Sequence, residues 1–105
     1  MNQNKKCYIS GPIAGYRRDE VEGAFGAMAK NLRALGIEPV SPLQNGLPAE
    51  STWEEHMRAD IKLLVDCDYI IMLDGWADSR GARIELNLAR GLGIRNITSA
   101  PIDTI

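Results

Sequence analysis

This sequence has little histidine or cysteine, no long apolar run and no strong charge of either sign. His56 is its one histidine, so a metal held by two imidazoles is excluded and no metal site is expected. The two cysteines, Cys7 and Cys67, stand far apart, without the further partners of a zinc site or a disulfide framework. Each neighbours apolar, strand-like residues and reads as a small core side chain. The longest apolar run, Tyr69–Leu73, falls far short of the roughly 20 residues that cross a bilayer, and no membrane partner is expected. The polar segment Met1–Lys6 lacks the apolar stretch of a signal peptide, so the expected location is the cytoplasm. Net charge is −2 and the basic residues form no long cluster. The electrostatic footprint of a protein that grips nucleic acid polymers is therefore missing.

What remains is an ordinary globular composition, with 45% hydrophobic and 25% charged residues in a chain of 105. That length suits one small domain spanning 1–105. Cys7–Ser10 reads as a first strand, stopped by Gly11-Pro12, whose proline has no N–H for a sheet ladder. From Asp19 the apolar residues Val21, Ala24, Phe25, Met28, Leu32 and Leu35 recur at three- and four-residue spacings, which predicts a helix with one buried face. Asp19 is its expected cap and Gly36 its expected stop. A second short strand over Ile37–Val40 leads into a loop over Ser41–Ala49 that contains two prolines and a glycine. Ser51-Thr52-Trp53-Glu54 has the spacing of a capping box, opening a helix to about Asp66 with Trp53, Met57, Ile61, Leu64 and Val65 inward.

Tyr69–Leu73 is a strand unbroken by polar residues, as expected where helices cover both faces of a sheet. A third helix over about Arg80–Gly91 is expected to turn Ile84, Leu88 and Leu92 inward, and Asn96–Ser99 is a candidate fourth strand. Strands alternating with helices imply parallel pairing with right-handed crossovers. The expected fold is thus a small three-layer α/β sheet of Rossmann or flavodoxin type with helices on both faces. Ligands bind such sheets outside the carboxyl ends of the strands, which directs attention to the loops Gly11–Arg18, Ser41–Ser51 and Asp74–Arg80.

Three features there carry chemistry. In the first loop, Ser10-Gly11-Pro12-Ile13-Ala14-Gly15, glycine lets the backbone approach a ligand and the following helix start offers free N–H groups to an anion. Arg17 and Arg18 are placed to pair with a phosphate, although the same residues suit a tight turn followed by two solvated arginines. Asp60 lies near the inward stripe of the middle helix. It is either buried, and then paired or part of a site, or it sits on the exposed rim. Glu85, about one and a half turns into the third helix, shares a stripe with the small apolar Ala82 and Ala89. That stripe faces protein or ligand rather than water, and Gly81 and Ala82 leave room for a ligand beside the carboxylate. Asp74 ends a strand as the phosphate acceptor of a receiver domain does, but the acidic pair and the lysine of such a domain have no match.

Taken together, Tyr8-Ile9-Ser10-Gly11-Pro12-Ile13-Ala14-Gly15, the Asp60 helix ending in Cys67-Asp68, and Leu73-x-Gly75-Trp76-x-x-Ser79-x-Gly81-Ala82-x-x-Glu85 resemble the nucleoside 2-deoxyribosyltransferase superfamily, and within it the short DUF4406-type branch. The resemblance implies a nucleophilic glutamate at Glu85 that attacks C1′ of a 2-deoxyribose and expels the base. It implies that Asp60 positions the sugar and assists proton transfer and that Tyr8 orients the nucleophile. In the related 2′-deoxynucleoside 5′-phosphate N-hydrolases the first loop and the Ser79 position hold the 5′-phosphate, which implies substrate binding by Ser10, Gly11, Ile13, Gly15 and Ser79; Arg17 and Arg18, just beyond the loop, and Gly81, beside Glu85, join them as expected substrate-binding residues on the reading above. Ser79 stands where the transferases carry an aspartate for the sugar hydroxyl, a departure that favours a phosphorylated ligand.

The implied chemistry is a retaining cleavage, which needs an ionised carboxylate as nucleophile and a proton donor for the leaving base. Trp76, beside the site, is placed either to stack on a base or simply to pack its loop. No cofactor is required. The expected partners are a small nucleoside or nucleotide and further copies of the chain in a homo-oligomer, since relatives build sites across subunit contacts. The competing expectation is a non-catalytic module that binds or senses a nucleotide in the same pocket.

Overall fold

The computed structural model describes residues 5–105. Of the polar segment read as lacking a signal peptide, residues 1–4 lie outside the described residues. The elements run β1 (Lys6–Ser10), α1 (Arg18–Ala34), β2 (Glu38–Val40), α2 (Trp53–Leu64), β3 (Tyr69–Met72), α3 (Arg80–Gly91) and β4 (Arg95–Asn96). Short 3-10 turns follow β2 at Pro42–Gln44 and β3 at Trp76–Asp78, and a third lies at Ile102–Thr104. The four strands form one parallel sheet in the order β2-β1-β3-β4. The expected α/β architecture is therefore present, with the strand order reversing between β1 and β3, where ligand crevices of such sheets open.

Side chains alternate across a strand with a period of two, and this sorts β1 and β3 between two cores. Cys7 and Ile9, with Tyr69 and Leu73, join Val21, Phe25 and Leu32 of α1 on one face. Tyr8, Ile70 and Met72 join Leu64 of α2 and Ala82, Leu86 and Ala89 of α3 on the other. The same alternation sends Tyr8 and Ser10 together toward α3. Both cysteines are buried and free. Burial pushes the Cys67 thiol up to about 12 and the Cys7 thiol higher still, as core residues behave.

The structure corrects several local expectations. Asp19 does not cap α1: the N-cap is Arg17, which makes no side-chain cap bond, while Asp19 pairs with Arg17 at 2.8 Å. Gly36 does end that helix, at φ 76°, with the Gly36 and Ile37 N–H groups bonding back to Arg33 and Leu32. The capping box of α2 lies one residue later than the spacing of Ser51 suggests, with the Thr52 hydroxyl and Glu55 carboxylate satisfying each other's backbone N–H. That helix ends at Leu64 and leaves Val65 exposed. β4 is shorter and earlier than Asn96–Ser99.

The largest correction concerns α3, whose buried residues are Ala82, Glu85, Leu86 and Ala89. Ile84 is 38% and Leu92 54% exposed, and Leu88 is half-buried. Small side chains let α3 lie close to the sheet, and hydrogen bonds to Glu85 offset the cost of burying its carboxylate. Apolar spacing alone chose the wrong face.

Candidate active site

The carboxyl ends of β1 and β3, the loop after β2, α2 and the start of α3 enclose a cleft of about 620 Å³, within the usual range for small-molecule sites. Glu85 forms part of its wall and is 4% exposed. The Tyr8 hydroxyl donates to Glu85 Oε2 at 2.6 Å and the Ser10 hydroxyl donates to Oε1 at 2.6 Å. Both donors come from the same face of β1 and are fully buried. Two charge-assisted bonds hold the carboxylate in one orientation.

Electrostatics oppose each other at this residue. Burial pushes the Glu85 carboxyl up to about 7 against the pull of the Ser10 and Tyr8 hydroxyls, and nearby Asp60 adds a smaller push in the same direction. Burial likewise raises the Tyr8 phenol, helped by the negative field of Glu85 and Asp60, so Tyr8 stays a donor.

Asp60 takes the inward alternative. It is 5% exposed and lines the same cleft, its Oδ1 accepting from Asn45 Nδ2 at 2.9 Å. Burial raises its carboxyl, while the Asn45 bond and His56 work the other way. The two carboxylates thus meet at one hollow rather than on opposite sides of the molecule.

The other candidates divide. Gly11, Ile13, Arg18, Ser79 and Gly81 line the cleft. Arg18 is also bonded to Glu22 at 2.9 Å, and the Ser79 hydroxyl caps α3 by accepting from the Ala82 N–H at 3.2 Å. A Cβ on Gly11 would meet Leu73 Cβ at 2.8 Å, and one on Gly81 would meet Met57 Sδ at 3.0 Å. Gly81 thus permits α2 and α3 to approach, besides bordering the cleft. Three residues stand off the wall. Arg17 is exposed and paired with Asp19, and Gly15 forms a turn at φ 85°. Trp76 packs against the core on the α2 and α3 side of the sheet. Asp74 is exposed and also off the wall.

Sequence reasoning missed Asn45, His56, Tyr16 and the pair Trp53 and Arg80, all on the cleft wall. The Arg80 guanidinium lies 4.2 Å from the Trp53 ring centre. His56 carried a readable signal, since it precedes Asp60 by one helical turn and shares its face. Asn45 carried none, because it sits in a loop without periodicity. Among the described residues no group of three or more His, Cys, Asp or Glu side chains is arranged to hold a metal ion. No helix there is long and apolar enough to cross a membrane.

Comparison with known proteins follows the fold. A 2-deoxyribosyltransferase from Bacillus psychrosaccharolyticus is similar with a TM-score of 0.65 at 21% identity, over 91% of this chain and 75% of that one. A 2-deoxyribosyltransferase from Leishmania mexicana is similar with a TM-score of 0.68 at 23% identity, over 88% of this chain and 61% of that one. No curated protein matches the sequence. A family model described as a domain of unknown function, DUF4406, matches residues 5–98. The two carboxylates and the cleft between them thus sit on the fold seen in 2-deoxyribosyltransferases, and the chain carrying them belongs to the DUF4406 family.

Proposed function

We propose that this protein cleaves or exchanges the N-glycosidic bond of a 2′-deoxynucleoside or its 5′-monophosphate, with Glu85 as nucleophile. The observation that carries the reading is the Glu85 carboxylate, fixed by Tyr8 and Ser10 at 2.6 Å each on the wall of a nucleoside-sized cleft that Asp60 shares. In the first step a Glu85 oxygen attacks C1′ and the electron pair of the C1′–N bond leaves with the base. Asp60, its carboxyl raised by burial, supplies the proton the departing base takes up. Water or a second base then attacks C1′ from the opposite side, gives its proton to the now ionised Asp60 and displaces the Glu85 carboxylate, restoring the starting configuration and both carboxyl groups. Arg18, Ser79 and the start of α3 are the groups on the wall suited to a 5′-phosphate.

The Tyr8 and Ser10 bonds hold Glu85 for attack and favour its charged form, offsetting part of the burial penalty. A covalent glycosyl ester is the distinguishing intermediate. Protein quenched during turnover and digested is expected to yield a Glu85 peptide heavier by one deoxyribosyl group, or by its 5′-phosphate. Free base released without any such adduct, in a protein whose Glu85→Gln variant is equally active, rules the mechanism out. Saturable binding with no base released at all instead identifies the cleft as a nucleotide-binding module.

A further inference from the structure

We infer that His56 is a specificity-determining residue of this cleft, a fixed N–H donor for an acceptor atom on the base. The inference rests on reading the cleft as a nucleoside site, and it follows from three linked hydrogen bonds. The Leu47 backbone N–H donates to Asn45 Oδ1 at 2.9 Å. A backbone N–H can only donate, so this bond fixes which end of the Asn45 amide is oxygen. The amide nitrogen must then be the end that donates to Asp60 Oδ1 at 2.9 Å and lies 3.0 Å from His56 Nδ1. Since Asn45 Nδ2 offers only hydrogens, His56 Nδ1 has to be bare and accept one of them. The proton of the ring therefore sits on Nε2, which has no protein partner among the described residues, on a half-buried side chain that lines the cleft.

This arrangement does more than hold Asp60 in place. Each hydrogen of the Asn45 amide is spent, one on each neighbour one turn apart on α2, and the tautomer of the imidazole is set by the loop rather than by the ligand. His56 and Asp60 stand one helical turn apart on α2 and both line the cleft, and an N–H donor of this kind suits an uncharged acceptor. A carbonyl oxygen or a pyridine-type ring nitrogen of a nucleobase has that chemistry. As the C1′–N bond breaks, negative charge moves onto the base and a donor bonded to the base gains strength. His56 then acts on binding and on turnover alike.

The chain has one histidine, so the imidazole nitrogens can be read without ambiguity in ¹⁵N-labelled protein by NMR. In Glu85→Gln protein, which holds substrate without consuming it, Nδ1 is expected bare and Nε2 protonated, and the Nε2 resonance is expected to move on titration with 2′-deoxynucleosides or their monophosphates. His56→Leu is expected to lower kcat/KM about tenfold, the size of one lost hydrogen bond. His56→Gln, whose amide nitrogen reaches a similar place, is expected to recover most of that loss. A proton found on Nδ1 overturns the inference. So does an Nε2 resonance unmoved by ligands that the wild type turns over, with His56→Leu unchanged in kcat/KM, and the glycosidic reading survives that result. If Nε2 moves with ligand but no base is ever released, the donor role stands as one in binding and the catalytic reading falls. If none of these compounds binds, both fall.

Discussion

Glu85 spends much of its environment on a contradiction, being buried as an uncharged group prefers and hydrogen-bonded as a charged one prefers. With the carboxyl held at about 7, the proposed nucleophile is ionised only on the alkaline side of neutrality. Turnover is accordingly expected to rise with pH in kcat/KM profiles along a limb centred near 7, and to fall again where Asp60 loses the proton it must supply. Removing one hydroxyl donor, by Tyr8→Phe or Ser10→Ala, leaves burial less opposed, so the limb is expected to move to higher pH. Each bond of this kind is worth about 1.5–3 kcal/mol, so turnover at neutral pH falls at least about tenfold. Profiles that superimpose on the wild type's would contradict the assigned contacts. Gly11 presents a plainer constraint. With a new Cβ only 2.8 Å from Leu73 Cβ, Gly11→Ala is expected to cost about 1–3 kcal/mol in denaturant unfolding, and an unchanged midpoint would show that the loop has room.

The helices show where sequence patterns speak and where they fall silent. α2 begins at the reciprocal Thr52 and Glu55 bonds, so Thr52→Ala is expected to lose about 1 kcal/mol of stability. Ser51→Ala is expected to stay within about 0.5 kcal/mol; the reverse order of effects would return the cap to Ser51. Both residues carry a hydroxyl and both have a glutamate three positions on, so spacing alone did not choose between them. The alternation of strands and helices was legible because each crossover helix needs its own apolar stripe and each inner strand an apolar run. Glu85 was legible for a different reason, since its neighbours Ala82 and Ala89 on the same stripe were too small to belong to a solvated face. The same small residues misled the reading of α3, where the larger Ile84, Leu88 and Leu92 looked like the core. Asn45 was beyond reach because its partners, Asp60 and His56, are brought to it only by the packing of the 42–44 turn against α2.

At the scale of the whole molecule, the cost of burying Glu85 becomes a dependence of folding on pH. Its carboxyl holds a proton to about 7 when folded but only to about 4.5 when unfolded. Between those values the folded state binds the extra proton, so stability is expected to fall as pH rises across that window and to level off above it. The upper bound on this contribution is about 3.4 kcal/mol at 1.36 kcal/mol per pH unit. Asp60, raised in the same direction, adds to the slope. Glu85→Gln cannot titrate, so its unfolding free energy is expected to change less than the wild type's between pH 5 and pH 8. An equal decline in both proteins would place the cost elsewhere.

The strand-order reversal, the paired β1 hydroxyls and the two helices converge on one hollow, and the central claim is that chemistry happens there. It is tested most directly by incubating wild type and Glu85→Gln with 2′-deoxynucleosides and their 5′-monophosphates and measuring free base over time. Base release by the wild type, slower by at least about a thousandfold in the variant, is the expected result. Equal release by both proteins, or none from either while ligand still binds, would contradict it.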